Sequence, residues 1–364
     1  MQTRNILAGA VFGAFFSGLL VACSVSTGRE GFKEKGAGND DNKAVNDPGD
    51  DTSIDNDDYT PPPASGPDAI DLDAVEPCDS DLEVDGDAED FLKAIGLCKT
   101  TTQDSDEWGV ISAKFTRGAD TNSKPYKEWQ HGILSQFGEI IVPREGNALG
   151  MLSTGYAREF NTGGNGKKSF VDSESPGGEF SGMGDENSKN DMIAYRLKIR
   201  VPSNAKSLMF DFNFHSAEWP AYIGSRFNDT FEARLDGENI SFDSNNNPVS
   251  VNLGFFDRCK DGATIGCSSF PANIGRAECP GGIDELKGTG FGIMGSGCSG
   301  ESNVPSGGAT GWLTTQAPVE PGSIIELDFV IWDAADSALD SAVLIDNFRW
   351  DADPVTIGTG RPPS

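Results

Sequence analysis

Regular alternation of apolar and polar residues marks the centre of this chain. Between residues 192 and 201 every second residue is large and apolar or aromatic, and three of the residues between them are basic. Between residues 208 and 214 phenylalanine recurs at every second position. Period-two alternation is typical of antiparallel strands with one buried face. We therefore expect residues 208–252 to lie at the heart of a β-domain.

Other parts of the chain show weaker strand patterns, separated by polar turns. Asp87 is a predicted N-cap for one short helix that ends near Gly96. No strand–helix–strand rhythm is present, so the sequence predicts an all-β fold, an antiparallel β-sandwich of jelly-roll or lectin-like type. The further predicted strands span residues 108–116, 133–142, 148–154, 227–235, 311–315, 324–332 and 342–350.

Cysteine usage indicates an exported protein with disulfides. Residues 256–308 are rich in Gly and Cys and lack periodicity, so we expect a long disulfide-stapled loop there. Sequence proximity favours a bond between the first two of six cysteines and leaves the pairing of the other four open. The six are Cys78, Cys98, Cys259, Cys267, Cys279 and Cys298.

The N-terminus has the features of an export signal. Arg4 precedes an apolar stretch, residues 6–22, which is too short to span a membrane comfortably. Its end, Leu-Val-Ala followed by Cys23, resembles the bacterial lipoprotein box. We therefore predict a signal peptide at residues 1–22 and a lipid on Cys23, which would place the protein at the outer membrane or cell surface. An ordinary secreted protein is the alternative.

An acidic segment follows the predicted lipidation site. The chain has a formal net charge of −29, of which residues 30–90 carry −18. Residues 23–87 are polar and Pro/Gly-rich, so we expect a disordered tether. The predicted domain then covers residues 88–351, and residues 352–364 form a flexible tail. The negative charge argues against binding to nucleic acid, so the expected membrane contact is the lipid itself.

Acidic residues lie at unusual positions in this β-pattern. Asp229 and Asp346 share the parity of neighbouring apolar residues, so we expect both carboxylates to be buried, and we expect them to form one polar site. A buried carboxylate needs amide donors, a basic partner or a cation. Clusters of oxygen ligands without histidine suit calcium. The candidate calcium ligands are Glu218, Asn228, Asp229, Asp333, Asp336, Asp340 and Asp346.

Simpler interpretations of the same residues remain open. Turn amides could satisfy Asp229 and Asp346, and solvent could surround the other acids. Glu218 and Asp229 could also be a glycosidase pair, although nothing in the sequence fixes their separation. Trp219 and Tyr222 could stack on sugar rings if they are exposed. We assign no catalytic residues, because neither a nucleophile elbow nor a histidine with a recognisable partner is present.

Several segments together resemble the choice-of-anchor L domain family. The matching segments are FNFHSAEWP from Phe212, GSRFNDTF from Gly224, NI from Asn239, PVSVN from Pro248 and LDSAVLIDNF from Leu339. The resemblance covers roughly residues 88–350, the whole predicted domain. The resemblance implies a bacterial surface or extracellular module with varied anchors and no defined catalytic activity. Trp219 departs from the family pattern, in which tyrosine is more usual.

These observations predict a lipid-anchored envelope or surface protein. Its β-sandwich would be a non-catalytic binding or adhesion module, stabilised by calcium, with a glycan or a cell-surface protein as ligand. A secreted glycosidase-like hydrolase and a purely structural envelope lipoprotein are the alternatives.

Overall fold

The computed structural model describes residues 69–70, 77–117, 126–159, 188–252, 255–266, 275–292 and 307–362. The predicted signal peptide, Cys23 and most of the tether lie outside these residues, as do Cys267 and Cys298. No helix in the described part of the chain is long and apolar enough to cross a membrane.

Strands dominate the secondary structure. The described residues contain one α-helix, α1 (Ala88–Ala94), and two 3-10 turns (Glu128–Gln130 and Asp284–Leu286). The strands are β1 (Gly109–Thr116), β2 (His131–Leu134), β3 (Leu149–Ser153), β4 (Lys189–Arg200), β5 (Ser207–Ser216), β6 (Thr230–Leu235), β7 (Glu238–Asn239), β8 (Val249–Ser250), β9 (Thr264–Ile265), β10 (Gly275–Arg276), β11 (Gly308–Ala309), β12 (Leu313–Pro318), β13 (Ile324–Ala334), β14 (Ser341–Asp351) and β15 (Gly358–Gly360).

Two antiparallel sheets pack face to face. Sheet I has the order β1-β4-β13-β6-β7 with β8 beside β6, and sheet II has the order β15-β12-β5-β14-β3-β2 with β11 beside β5. Aromatic pairs cross the interface: Phe210 meets Phe329 and Phe212 meets Phe231, each at 4.9 Å between ring centroids. The alternation that predicted β5 therefore has a direct cause, since these phenylalanines fill the space between the sheets. The predicted all-β sandwich is confirmed.

The predicted helix is also confirmed. The Asp87 side chain caps α1 by accepting hydrogen bonds from the amides of Glu89 (2.8 Å) and Asp90 (3.0 Å). The helix buries Phe91, whose ring lies 4.6 Å from that of Tyr195 in β4. A disulfide joins the segments before and after the helix and fixes it to the sandwich: this is the Cys78–Cys98 bond expected from sequence proximity.

Sheet II is buried on both faces, which the alternation did not predict. A second apolar layer packs on its outer side and joins Phe137, Leu286 and Phe291 to Met151 and Leu344. The polar residues of β5 that alternate with its phenylalanines are consequently buried rather than solvated. They are Asp211, Asn213 and His215.

The ends of the domain differ from the predicted boundaries. Asp79 lies in the predicted tether, yet it is buried and accepts hydrogen bonds from the amides of Asn147 (2.5 Å) and Ala148 (2.6 Å). In the predicted flexible tail, β15 pairs with β12, and Arg361 contacts Asp257 at 2.7 Å. Both segments are part of the fold because their polar groups find partners within it.

The Gly- and Cys-rich region has more structure than a plain loop. Its described residues contain the antiparallel pair β9 and β10, the second 3-10 turn and a disulfide between Cys259 and Cys279. Arg258 lies beside this disulfide and contacts Asp257 and Glu285, each at 2.6 Å. The disulfide and these ion pairs cross-link the described part of the region internally, and backbone hydrogen bonds between Arg258 and Ala309 of β11 attach it to sheet II.

Candidate functional site

Four acidic side chains meet where strands of the two sheets end. In sheet II the last residue of β5, Ser216, pairs with the first residue of β14, Ser341. In sheet I the first residue of β6, Thr230, pairs with Trp332 near the end of β13. Acidic residues next to these pairs therefore lie at the same end of the sandwich. We call them the strand-end cluster: Glu218, Asp229, Asp333 and Asp340.

All four side chains of the strand-end cluster are buried. Glu218 is 2% exposed, and Asp229, Asp333 and Asp340 are each 1% exposed. Burial of several carboxylates in one place is costly because water no longer solvates their charges. The prediction that Asp229 faces the interior is confirmed, whereas the alternative of solvated acids does not hold for Glu218, Asp333 or Asp340.

Asp229 connects the two sheets through its hydrogen bonds. Its Oδ1 accepts a hydrogen bond from the amide of Ala334 (3.1 Å), which belongs to β13 of sheet I. Its Oδ2 accepts a hydrogen bond from the hydroxyl of Ser341 (2.6 Å), which opens β14 of sheet II. The Asp229 carboxylate thus links the end of β13 in sheet I to the start of β14 in sheet II.

Repulsion and burial together shift the ionisation of the cluster. Burial raises the pKa of Asp229 to about 7, although hydrogen bonds from Ser341 and Ala334 oppose the shift. Burial and the nearby Asp229 charge raise the pKa of Glu218 well above its ordinary value. The pKa of Asp333 is also raised well above its ordinary value, first by burial and then by Asp229, Asp191 and Asp340. Negative charge is therefore disfavoured on Glu218, Asp229 and Asp333.

Some oxygens of the cluster lack a hydrogen bond of good geometry. Both carboxylate oxygens of Asp333 and the Oε2 atom of Glu218 are buried without a hydrogen-bond partner. The Thr154 hydroxyl nevertheless interacts with Asp333 by a hydrogen bond that lowers the pKa of Asp333, and Asp229 interacts in the same way with Asp333 and with Glu218. Unsatisfied buried oxygens of this kind are rare in native proteins and need an explanation.

Two other predicted calcium ligands lie at the margin of the cluster. Asp336 is half-buried and accepts a hydrogen bond from the amide of Ala338 (3.1 Å), and its charge raises the pKa of both Glu218 and Asp229. Asn228 is also half-buried, and its side-chain oxygen accepts a hydrogen bond from the amide of Asn252 (2.9 Å). Asn228 therefore joins two loops.

Metal-binding geometry is not formed among the described residues of this arrangement. The cluster offers hard oxygen donors, as calcium requires, and three of its oxygens have no other partner. Within the described ranges, however, no three Asp, Glu, His or Cys side chains converge closely enough to hold a metal ion. The donor chemistry suits a hard cation, but the arrangement of these side chains does not fit a metal ion.

Asp346 does not join Asp229, contrary to the expectation of one shared polar site. Asp229 bonds Ser341, which lies five residues before Asp346 on β14, a separation of about 16 Å along a strand. Asp346 instead accepts hydrogen bonds from the amides of Arg144 (2.5 Å), Asn347 (2.5 Å) and Glu145 (3.3 Å). Burial raises its pKa to about 7 against these bonds. Backbone amides thus satisfy Asp346.

A polar cluster that the sequence did not indicate lies beside Asp346. Asp211 is buried and contacts two arginines, Arg144 at 3.3 Å and Arg349 at 3.2 Å. It also accepts hydrogen bonds from Asn347 (2.9 Å) and Thr314 (2.7 Å). These contacts tie β12, β14 and the loop before β3 to the centre of sheet II, so this cluster is structural.

The predicted sugar-stacking residues are not equally available. Trp219 is 7% exposed, and its ring stacks on Phe256 with the centroids 4.6 Å apart and the planes 6° from parallel. The ring face is therefore covered, and Trp219 cannot offer it to a sugar. Tyr222 is half-buried and meets Phe227 edge-on at 5.4 Å, so part of this side chain remains accessible.

Several contributors to the site were missed from the sequence. Asp191 is buried and raises the pKa of Asp333, and Ser341 and Thr154 surround the cluster. The amide of Ser341 donates a hydrogen bond to the Thr154 hydroxyl oxygen (2.9 Å). Only the position of Asp191, Ser341 and Thr154 could have indicated a role in the site, because all three lie at the ends of predicted strands. Their residue types are too common in turns to identify a site.

Similarity to known proteins is limited to a family model. No curated protein and no solved structure matches the chain significantly. The model of the choice-of-anchor L domain matches residues 146–349, which is more than half of the chain. The match includes β3–β6, β12, β13, most of β14 and all four residues of the strand-end cluster. The chain belongs to the choice-of-anchor L domain family.

Proposed function

We propose that this surface-associated protein is anchored by a lipid on Cys23 and acts as a non-catalytic binding or adhesion module. The choice-of-anchor domain supports the surface association. The lipoprotein box ending at Cys23 supports the lipid, and the acidic stretch after it would hold the domain away from the membrane by charge repulsion.

The burial of the candidate catalytic acids carries the non-catalytic part of the proposal. A glycosidase needs two carboxyl groups that flank a bound substrate. Glu218 and Asp229, the candidate pair, are almost fully buried and contact each other inside the sandwich. Asp229 is also committed to hydrogen bonds with Ala334 and Ser341. A substrate could not reach these acids without opening the domain.

The two histidines support the same conclusion. His215 is completely buried, and burial lowers its pKa to about 3. His131 is 8% exposed, and burial followed by the Arg158 charge lowers its pKa to about 4. A general base acts best when its pKa lies near the working pH and its ring reaches the substrate. Both histidines therefore serve packing.

The ligand of the proposed module is a glycan or a protein on a cell surface. Tyr222 and the loop around it, rather than Trp219, offer the accessible aromatic surface. A glycan array probed with the purified chain separates the two ligand classes. Binding lost in Tyr222→Ala and kept in Trp312→Phe would support glycan recognition there. Silence across the array would remove glycans from the proposal and leave a protein ligand.

Anchoring is tested with the full chain expressed in a bacterial host. Metabolic labelling with radioactive palmitate should mark the wild type and the control variant Ser26→Ala, and should leave Cys23→Ser unlabelled. Labelling that persists in Cys23→Ser would contradict the lipid anchor. Proteinase treatment of intact cells should degrade the wild-type domain. Full protection would contradict an outward-facing module.

The non-catalytic assignment is tested separately. Purified chain incubated with a panel of aryl glycosides and polysaccharides should release no sugar above background. Turnover that disappears in Glu218→Gln, with the fold intact by circular dichroism, would establish the hydrolase alternative instead.

A further inference from the structure

We propose that Asn213 and His215 form a buried binding site for one water molecule, between sheet II and the apolar layer on its outer side. The bound water would donate a hydrogen bond to Nε2 of His215 and would also bond the side-chain amide of Asn213. The proposal goes beyond the surface function and does not depend on the lipid anchor or on the ligand of the module.

The two side chains lie on the same face of one strand. Asn213 and His215 are two residues apart on β5, whose side chains alternate between the two faces of sheet II. The His215 ring contacts the rings of Phe137 and Phe291, with centroids 5.4 Å and 5.3 Å away, and both phenylalanines belong to the outer apolar layer. Leu344 of β14 pairs with Asn213 and belongs to the same layer. Apolar side chains therefore enclose the pair.

Three polar atoms of this pair are buried without a hydrogen-bond partner in the described part of the chain: Nδ2 and Oδ1 of Asn213 and Nε2 of His215. Both residues are 0% exposed. Exchange of the amide oxygen and nitrogen of Asn213 would not change this, since neither atom has a partner. By contrast Asp211, the preceding polar residue on the same face, accepts hydrogen bonds from Asn347 (2.9 Å) and Thr314 (2.7 Å). A buried amide and a buried imidazole are costly without partners, so the pair requires a further one.

A backbone contact decides which nitrogen of His215 carries the proton. Nδ1 lies 3.3 Å from the carbonyl oxygen of Asn213, and a carbonyl oxygen can only accept a hydrogen bond. The proton of the neutral ring is therefore on Nδ1, which leaves Nε2 as an acceptor. Burial lowers the pKa of His215 to about 3, so the ring stays neutral at physiological pH. The partner that Nε2 requires is thus a hydrogen-bond donor.

Water meets the requirements of both side chains. A water molecule can donate and accept, so one molecule can donate to Nε2 of His215 and bond either polar atom of the Asn213 amide. The Cα atoms of residues two apart on a strand are separated by about 7 Å, a distance that lets one water reach both side chains. The enclosing phenylalanine and leucine side chains are apolar, so a larger polar ligand would lose its own hydrogen bonds there.

A crystal structure of the full chain, at a resolution where ordered water is visible, tests the site directly. We expect one water within about 2.7–3.2 Å of Nε2 of His215 and of a side-chain atom of Asn213. A direct hydrogen bond from the Asn213 amide to Nε2, or no density between the two side chains, would overturn the proposal.

Long-range nitrogen-15 NMR spectra of the full chain in non-ionic detergent test the direction of the hydrogen bond in solution. The spectra should show His215 neutral, with its proton on Nδ1. The variant His215→Phe assigns the signals, because His131 is the only other histidine in the sequence. A proton on Nε2 would overturn the proposal.

The variant Asn213→Leu gives a third test, because the presence of the water reverses the sign of its effect. Leucine is close to asparagine in shape but removes one partner of the water, so the urea midpoint should fall by about 0.5 M. If the amide were simply unsatisfied, leucine would replace it favourably, so an unchanged or higher midpoint would overturn the proposal. Asn245→Leu makes the same change in an exposed turn and should keep the wild-type midpoint; an equal fall in both variants would also overturn it. If Asn213→Leu fails to fold, the crystal structure and the NMR spectra of the wild type decide.

Discussion

The free energy of unfolding is expected to fall as the pH is lowered into mild acid. Replacing His131 with phenylalanine is expected to make this fall smaller. The imidazole lies parallel to the Phe115 ring with 3.7 Å between centroids, and its Nδ1 atom is buried without a hydrogen-bond partner. Burial, followed by the charge of Arg158, lowers the pKa of His131 from 6.5 to about 4, while Asp85 opposes the shift. The folded protein therefore resists protonation at this ring.

The sign and size of the effect follow from that pKa. Because the folded-state pKa lies below the unfolded value, the unfolded chain binds more protons between about pH 6.5 and 4, and stability falls as the pH falls. The difference corresponds to about 3 kcal/mol of unfolding free energy, fully present above pH ~6.5 and lost as the pH drops through ~4. Phenylalanine keeps the stacked shape and cannot be protonated.

Urea unfolding of the full chain, followed by tryptophan fluorescence at several values between about pH 7.5 and 4, measures the effect. Relative to the wild type, His131→Phe should gain up to about 3 kcal/mol across this range. His131→Gln should show the same pH dependence as His131→Phe, because glutamine cannot be protonated either. It should be less stable than His131→Phe at every pH, since it loses the ring contact with Phe115. Parallel profiles for wild type and both variants would refute the reasoning.

Three further predictions test the packing. Trp219→Ala should lower the unfolding free energy by about 3–5 kcal/mol in urea, because the ring stacks on Phe256; unchanged stability with lost sugar binding would show that the ring is exposed. Removal of residues 356–364 should cost about 1–3 kcal/mol because β15 and its hydrogen bonds are lost, whereas a flexible tail could be removed without effect. The double substitution Cys78→Ser/Cys98→Ser should cost about 3 kcal/mol for a separation of 20 residues, and equal melting temperatures under oxidising and reducing conditions for the wild type would contradict this.

The fold was predictable where the alternation of apolar and polar residues in the sequence corresponds to the alternation of buried and less buried side chains in the structure. The alternation at residues 192–201 and 208–214 places β4 and β5 correctly, because their apolar side chains fill the space between the sheets. The short helix was predictable from its cap at Asp87 and its apolar face. These signals are local, so they need no knowledge of the rest of the chain.

The burial of the second face of sheet II was not predictable in the same way. Its cover comes from Phe137, Leu286 and Phe291, which lie in turns without a period. Asp211 and His215 therefore look like solvent-facing residues in the sequence, although both are buried. A strand covered on both faces by irregular segments carries no alternation that distinguishes it from a half-exposed one.

The candidate site was predictable in part. The parity of Asp229 correctly indicated an interior carboxylate, and Glu218, Asp333 and Asp340 were identified as its possible neighbours. The pairing with Asp346 failed for a local reason: a bulge between residues 346 and 349 shifts the parity of β14. Leu344 therefore faces the outer layer of sheet II, while the residues after the bulge face the space between the sheets.

The most direct test of the non-catalytic account is a crystal structure of the full chain. We predict that Glu218 and Asp229 lie inside the sandwich, with the Asp229 carboxylate accepting hydrogen bonds from the Ala334 amide and the Ser341 hydroxyl. A cleft that exposes both carboxyl groups to solvent would contradict the account and favour the hydrolase alternative.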